Sequence, residues 1–208
     1  MLTLGYTSVP ALIKYLRHAE RLGLDVEAVR TAVGISAEDL ADNGKRIPSE
    51  LHERLLSHLL EVSGDPLFGL RSAQFVQPGY WSVLGYITMN CATLGEAMSR
   101  IVPYEKLVGD MGTSQLLAEG DHIKLVWNCR HERPDIRRHM VEGVLASWML
   151  YARWIADMDK SPRAVWMEHA RPAGTTQADY EDVFGCPVLF EQSCNALLVP
   201  MDYLAIPL

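Results

Sequence analysis

The sequence predicts an α+β fold: an N-terminal helical bundle followed by helices packed on a small, mostly antiparallel sheet. Three observations carry this expectation. Apolar residues recur at helical spacing between capping residues, glycines and prolines through residues 8–63. After Tyr104 the period changes, and two β-rich runs flank Gly120-Asp121, a plausible two-residue hairpin turn. From Pro134 a single long helical pattern returns, and short extended runs follow it, so helices and strands are segregated rather than alternating.

Each element has its own signals. Val9, Leu12, Ile13, Leu16, Ala19 and Leu22 share a helical face, with Ser8 as N-cap, Pro10 in the first turn and Gly23 as the stop. Asp25 caps a short helix carrying Val26, Val29 and Val33, which Gly34 ends. Ser36-Ala-Glu-Asp39 resembles a capping box with Asp in place of the usual Glu. Ile47-Pro48-Ser49 opens a stronger helix through Leu51, Leu55, Leu59 and Val62, closed by Gly64-Asp65-Pro66. A short helix follows from Phe68, an apolar one spans Ser82 to Met89, and Thr93 with Glu96 forms a capping box before Ala97, Met98, Ile101 and Val102. Ser114–Glu119 and His122–Asn128 are the hairpin strands. The long helix runs from Pro134 to about Met158. Arg163–His169 reads as a strand, Ala178–Phe184 as a helix, and Pro187–Phe190 and Ala196–Val199 as short strands. No repeat, low-complexity stretch or linker divides the chain. Residues 1–208 are therefore expected to be one domain, with a helical subregion over 8–63 and an α+β subregion over 64–208.

Composition narrows the function. The chain is 49% hydrophobic and 22% charged, and 19 Lys+Arg against 26 Asp+Glu leave a formal charge of -7. An acidic chain of this kind is a poor DNA binder by itself, because affinity for nucleic acid comes largely from Lys and Arg displacing counterions. The short helices in 8–40 invite a helix-turn-helix reading. Their Lys14, Arg17, Arg21 and Arg30 are interleaved with Glu20, Asp25, Glu27, Glu38 and Asp39, however, which fits a packing bundle better than a groove-entering face. Cys91, Cys129, Cys186 and Cys194 contain no CxxC pair and read as reduced thiols in a cytoplasmic protein. The N-terminus lacks the basic and apolar regions of a signal peptide. Val144–Ala156 is too short to span a bilayer and carries Arg153, so no membrane association is expected.

Catalytic signatures are missing. There is no G-x-S-x-G elbow, P-loop, G-x-G-x-x-G or H-E-x-x-H; His131-Glu132 lacks a second His, and Cys129 with His131 makes half a zinc site. His52 and His58, six apart, do not share a helix face. The expectation is a non-enzyme with no metal and no cofactor. What stands out is a set of large amphipathic residues: Tyr80, Trp81, Tyr86, Met89, Tyr104, Trp127, Trp148, Tyr151 and Trp154. Trp148, Tyr151 and Trp154 make a winding stripe on the long helix. Core packing is the commoner fate of such stripes. An apolar ligand pocket with a few polar handles, among them Arg71 and His131, is the functional alternative.

Gly64-Asp65-Pro66-Leu67-Phe68-Gly69-Leu70, Leu84-Gly85-Tyr86, Thr93-Leu94-Gly95-Glu96-Ala97, His169-Ala-Arg-Pro172 and Tyr180-Glu-Asp-Val-Phe184-Gly185-Cys186-Pro187-Val188 occur in that order, closing with Asn195-Ala-Leu-Leu-Val199. This ordered set resembles the N-terminal effector-sensing, arabinose-binding-type domain of AraC-type transcription regulators, from about residue 8 to the end. The resemblance implies a sensor of a small-molecule effector that homodimerises. It also implies that DNA is contacted only through a C-terminal unit with two helix-turn-helix motifs, outside these 208 residues. The family supplies no catalytic residue. Side-chain type marks Trp81, Tyr86, Trp127, Trp148 and Tyr151 as the expected effector contacts, with Arg71 as partner for an anion. A fatty acid, an amino-acid derivative or an aromatic compound would each suit such a pocket. The alternative is an effector-independent dimerisation or protein-interaction module.

Overall fold

A computed structural model describes residues 4–208; Met1, Leu2 and Thr3, part of the N-terminus read above for a leader, lie outside the described residues. The N-terminal helices are joined by a small sheet that the sequence did not announce. Tyr6–Ser8 (β1) pairs antiparallel with Arg46–Pro48 (β2). Ser8 is therefore a strand residue, not the expected cap: its amide donates to the Val108 carbonyl, 2.7 Å. The first helix, Pro10–Arg21 (α1), begins with proline in its first turn and has no side-chain cap.

The next caps form as expected. Asp25 accepts from the Ala28 amide at 2.9 Å, opening Val26–Val33 (α2), and Gly34 ends it at φ +80°. Ser36 and Asp39 cap Ala37–Ala41 (α3) reciprocally. Ser49–Ser63 (α4) follows and closes on Gly64.

The second half builds helices Phe68–Ser72 (α5), Ser82–Met89 (α6) and Leu94–Tyr104 (α7) against a five-stranded sheet. Gly112–Glu119 (β3) and His122–Cys129 (β4) form the hairpin; then come Pro134–Ile155 (α8), Ala164–Trp166 (β5), Gln177–Phe184 (α9), Val188–Leu189 (β6) and Ala196–Pro200 (β7). Strand order is β3-β4-β7-β5-β6, antiparallel except for the parallel β5/β6 pair. The molecule is α+β, as its sequence predicts.

Several boundaries differ for local reasons. α8 stops at Ile155 rather than near Met158, because Asp157 takes a positive φ of 43° that turns the chain back. β5 is shorter than Arg163–His169, since the Glu168 amide is taken by the Asn195 side chain, 2.9 Å, instead of a neighbouring strand. Thr93 accepts from the Glu96 amide as expected, but the Glu96 carboxylate accepts from the Ala92 amide, not from Thr93. Thr93 instead bridges Pro207 in the last residues of the chain. A 3-10 segment, Met201–Ala205, leads into that bridge and packs on α7.

Alternation along the strands divides the sheet into two faces. Leu125, Trp127, Leu197 and Val199 point into a cluster that also contains Leu12, Leu16, Leu55 and Leu59 of the N-terminal helices and Met140 and Leu145 of α8. Val126, Ala164, Ala196 and Leu198 form a smaller cluster on the other face. α5 crosses α8 where both carry glycine: a Cβ on Gly69 would sit 2.1 Å from the His139 carbonyl oxygen, and one on Gly143 would sit 2.8 Å from that of Gly69. Cys91, Cys129 and Cys186 are buried free thiols, and Cys194 is half-buried. Burial pushes the Cys129 and Cys186 thiols up to about 11. No helix among the described residues is long and apolar enough to cross a membrane.

Candidate functional site

The inner sheet face and helices α6, α7 and α8 do not close completely on one another. They leave a cavity of about 90 Å³, lined by Leu84 and Thr88 of α6, Met98 and Ile101 of α7, Trp148, Tyr151 and Ile155 of α8, and Leu125 and Leu197 of the sheet. A single water needs roughly 10–15 Å³ on this measure, so the space admits a small organic molecule. Tyr203, from the 3-10 segment near the end of the chain, forms part of the wall.

Few polar groups reach this space. The Tyr151 hydroxyl donates to the Gly85 carbonyl, 2.6 Å, and lies 3.3 Å from the Thr88 hydroxyl, which itself donates to the Leu84 and Gly85 carbonyls. Burial raises the Tyr151 phenol above its ordinary range, so it remains a neutral donor already committed to α6. The wall is an apolar surface with its polar atoms mostly satisfied, which favours an apolar guest.

Two smaller cavities adjoin it. One of about 40 Å³ lies among Trp81, Ile101, Trp127, Val144 and Trp148. The other, about 20 Å³, is bounded by Lys14, Tyr15, His52, Tyr80, Trp81 and Trp127. Trp81 contributes to all three walls.

A separate polar cluster lies in the core beside α8. Glu142 is fully buried; it accepts from the Tyr180 hydroxyl at 2.8 Å and from Arg138 at 3.1 Å, and His169 Nε2 is 3.4 Å away. Burial raises its carboxyl to about 7 against the opposing pull of Arg138. His131 is equally buried and paired with Glu53 at 2.7 Å, and it lines none of these cavities. Among the described residues no group of three or more His, Cys, Asp or Glu side chains could hold a metal ion.

A family model, the N-terminal arabinose-binding domain of AraC transcription regulators, matches residues 23–208. The chain belongs to this family. The AraC-type domain is 23% identical over 186 residues to the ornithine utilization regulator of Pseudomonas aeruginosa, covering 89% of this chain and 54% of that protein. Its fold is similar to the crystal structure of the transcriptional regulator CdpR from Pseudomonas aeruginosa, with a TM-score of 0.63 and 15% identity over 87% of this chain and 55% of that one. The chain thus spans about half the length of these relatives.

Within the AraC-type domain, the structure brings Trp81, Trp148 and Tyr151 together on the large cavity. Trp127 is buried on β4 and lines only the two smaller spaces. Tyr86 faces outward from α6 and is 57% exposed. Arg71 lies at the surface, bound to Asp65 at 2.9 Å, and lines none of the three spaces. Sequence reasoning did not single out Lys14, His52 or Tyr203 as lining residues. Lys14 and His52 sit on helices whose apolar spacing runs past them, and only burial distinguishes them from surface residues.

Proposed function

We propose that this AraC-type domain senses a small, largely apolar effector held in the cavity between α6, α7, α8 and the sheet, and that it does so without turnover. The apolar cavity itself carries the reading. Trp81, Trp148 and Tyr151 give large, stiff contact surfaces, and Tyr203 extends the wall to the terminal segment bridged to Thr93. An effector favouring one packing of α7 against that segment shifts its population, and through it an attached DNA-binding unit of a bacterial cytoplasmic regulator. Coupling of ~1–3 kcal/mol suffices for such control. Residues 1–208 act here as one sensing domain.

The test is a series of straight-chain and aromatic apolar compounds, beginning with 1-octanol, followed by melting temperature and tryptophan fluorescence. A saturable rise in melting temperature is expected, by about 2.7 kcal/mol of stability at a hundredfold excess over Kd. Trp148→Ala or Tyr151→Ala should weaken binding tenfold or more, roughly the loss of one aromatic contact. Indifference of the wild-type chain to every compound would leave the interaction-module reading in its place.

A second copy of the chain is the proposed partner for the outer face of α6. Val83, Tyr86 and Met89 are exposed there at helical spacing, and Trp154 of α8, stacked on Tyr151, is 59% exposed. Sedimentation should give a dimer that Tyr86→Glu dissociates; a wild-type monomer at high concentration removes this partner.

A further inference from the structure

The three cavities follow one another along a single face of α8. Met140 and Val144 border the smallest, Val144 and Trp148 the next, and Trp148, Ala152 and Ile155 the largest. These positions repeat at three and four residues, and from Met140 to Ile155 the helix rises roughly 22 Å.

The two ends of this row differ in chemistry. At the Ile155 end the wall is apolar apart from Lys160 and Ser161 at its edge. At the Met140 end stands Lys14, only 6% exposed, its ammonium donating to the Gly143 carbonyl and the Ser147 hydroxyl, both at 3.2 Å. An ammonium has three N–H bonds, so one is left over. Beside it, among the described residues, both ring nitrogens of His52 are buried without a partner, and so is the Trp81 indole N–H. Among the described residues no acidic group pairs with Lys14. Glu142, on the same helix as Gly143, is engaged by Arg138, and Glu53, next to His52, by His131. A buried ammonium without an anion is expensive, which favours loss of its proton when the site is empty, and the donors around it lack an acceptor. A carboxylate would meet both needs.

We infer that the row is one channel for a monocarboxylate with an elongated apolar tail, its carboxylate on Lys14 and its tail running along α8 toward Ile155. This rests on the sensing reading above and names the ligand class. Trp81 borders the row at both ends: its ring faces the Lys14 ammonium at 6.0 Å and lines the tail's space as well. Lys160 at the far mouth is an exposed ammonium and the competing place for a head group.

Proton linkage supports the same assignment. Burial lowers the Lys14 ammonium to about 7, so at pH 8 the empty site is mostly uncharged. An arriving carboxylate draws a proton onto it. The other titratable groups of that cavity are Tyr15, Tyr80 and His52. Burial holds both phenols above their ordinary range and the imidazole well below its own, so none changes charge between pH 7 and 9.

The experiment is calorimetric titration of the chain with octanoate and 1-octanol at pH 8, in two buffers of different ionisation heat. Lys14→Met and Lys160→Met are titrated alongside. Octanoate is expected to bind at least about tenfold tighter than 1-octanol with uptake of close to one proton. Lys14→Met should lose both the preference and the uptake yet still bind 1-octanol, and Lys160→Met should keep them. Equal affinities, or octanoate binding without proton uptake, overturn the carboxylate head and leave a sensing cavity. A preference that survives in Lys14→Met, or vanishes in Lys160→Met, moves the head to the other mouth and overturns the assignment. If neither compound binds, the sensing reading falls with it. Should Lys14→Met fail to fold, Lys14→Arg decides: it should keep the preference for octanoate and lose the proton uptake, and uptake that persists overturns the assignment.

Discussion

Buried ionisable side chains on and beside α8 pull stability in opposite directions with pH. Glu142 has its carboxyl raised from 4.5 to about 7, so between those values the folded chain holds a proton that the unfolded chain releases. Its contribution is full below pH 4.5 and is lost as pH rises through about 7. His139 is lowered to about 3 by burial and Arg138, so it gives the opposite slope between pH 3 and 6.5, and His169, lowered by burial, adds a slope of the same sign below 6.5. The difference between Glu142→Gln and the parent isolates the carboxyl. Glutamine can still accept from Tyr180, and Arg138 keeps the Pro66 carbonyl. Urea unfolding at pH 5 and pH 8 should show the variant gaining on the parent by on the order of 1–3 kcal/mol as pH rises. A pH-independent difference would place the ionisation elsewhere.

At the scale of elements, the most demanding contact is the α5–α8 crossing. Gly69 lies in the Phe68-Gly69-Leu70 motif, and its close approach to the His139 carbonyl leaves no room for a methyl group. Gly69→Ala should cost about 1–3 kcal/mol by forcing the two helices apart, despite alanine's better helix propensity. Gly143 faces the same junction with more space, so Gly143→Ala should cost less; equal, negligible losses would show that the crossing relaxes freely. The helix caps at Asp25, Ser36 and Gly64 were legible in the sequence because each depends on residues within one turn. β1 and β2 were not: each is three residues long, and their pairing joins residues some forty positions apart, which no local period records. The Met201–Ala205 segment escaped for the same reason, since α7 supplies its partners. The aromatic wall was partly legible. Side-chain type picked out Trp81, Trp148 and Tyr151, but it did not separate them from Tyr86, which α6 turns outward, or from Arg71, held by Asp65. Lys14 and His52 are defined by burial, which only the assembled fold creates.

Across the whole molecule, one apolar cluster runs from Val9 of the N-terminal region to Val199 of the last strand. The large cavity opens inside that shared core, not in a cleft between separate bodies, so an occupant would touch α6, α7, α8 and the sheet at once. The cost of keeping such a space empty falls on the same contacts that hold the fold together. Ligand binding and thermal stability are therefore expected to move together.

The thiols turn this shared core into a clock. With Cys129 and Cys186 held near 11, the thiolate that attacks an alkylating reagent is scarce on both while the chain is folded. Half-buried Cys194 should react first. The buried three sit after α6, at the end of β4 and before β6, so each reports the opening of a different neighbourhood. In a chain that opens all at once, their labelling rates converge on a single slow value, and a ligand bound in the large cavity would slow all three together. In a chain that opens by parts, Cys91 runs ahead, beside the helices that wall the cavity.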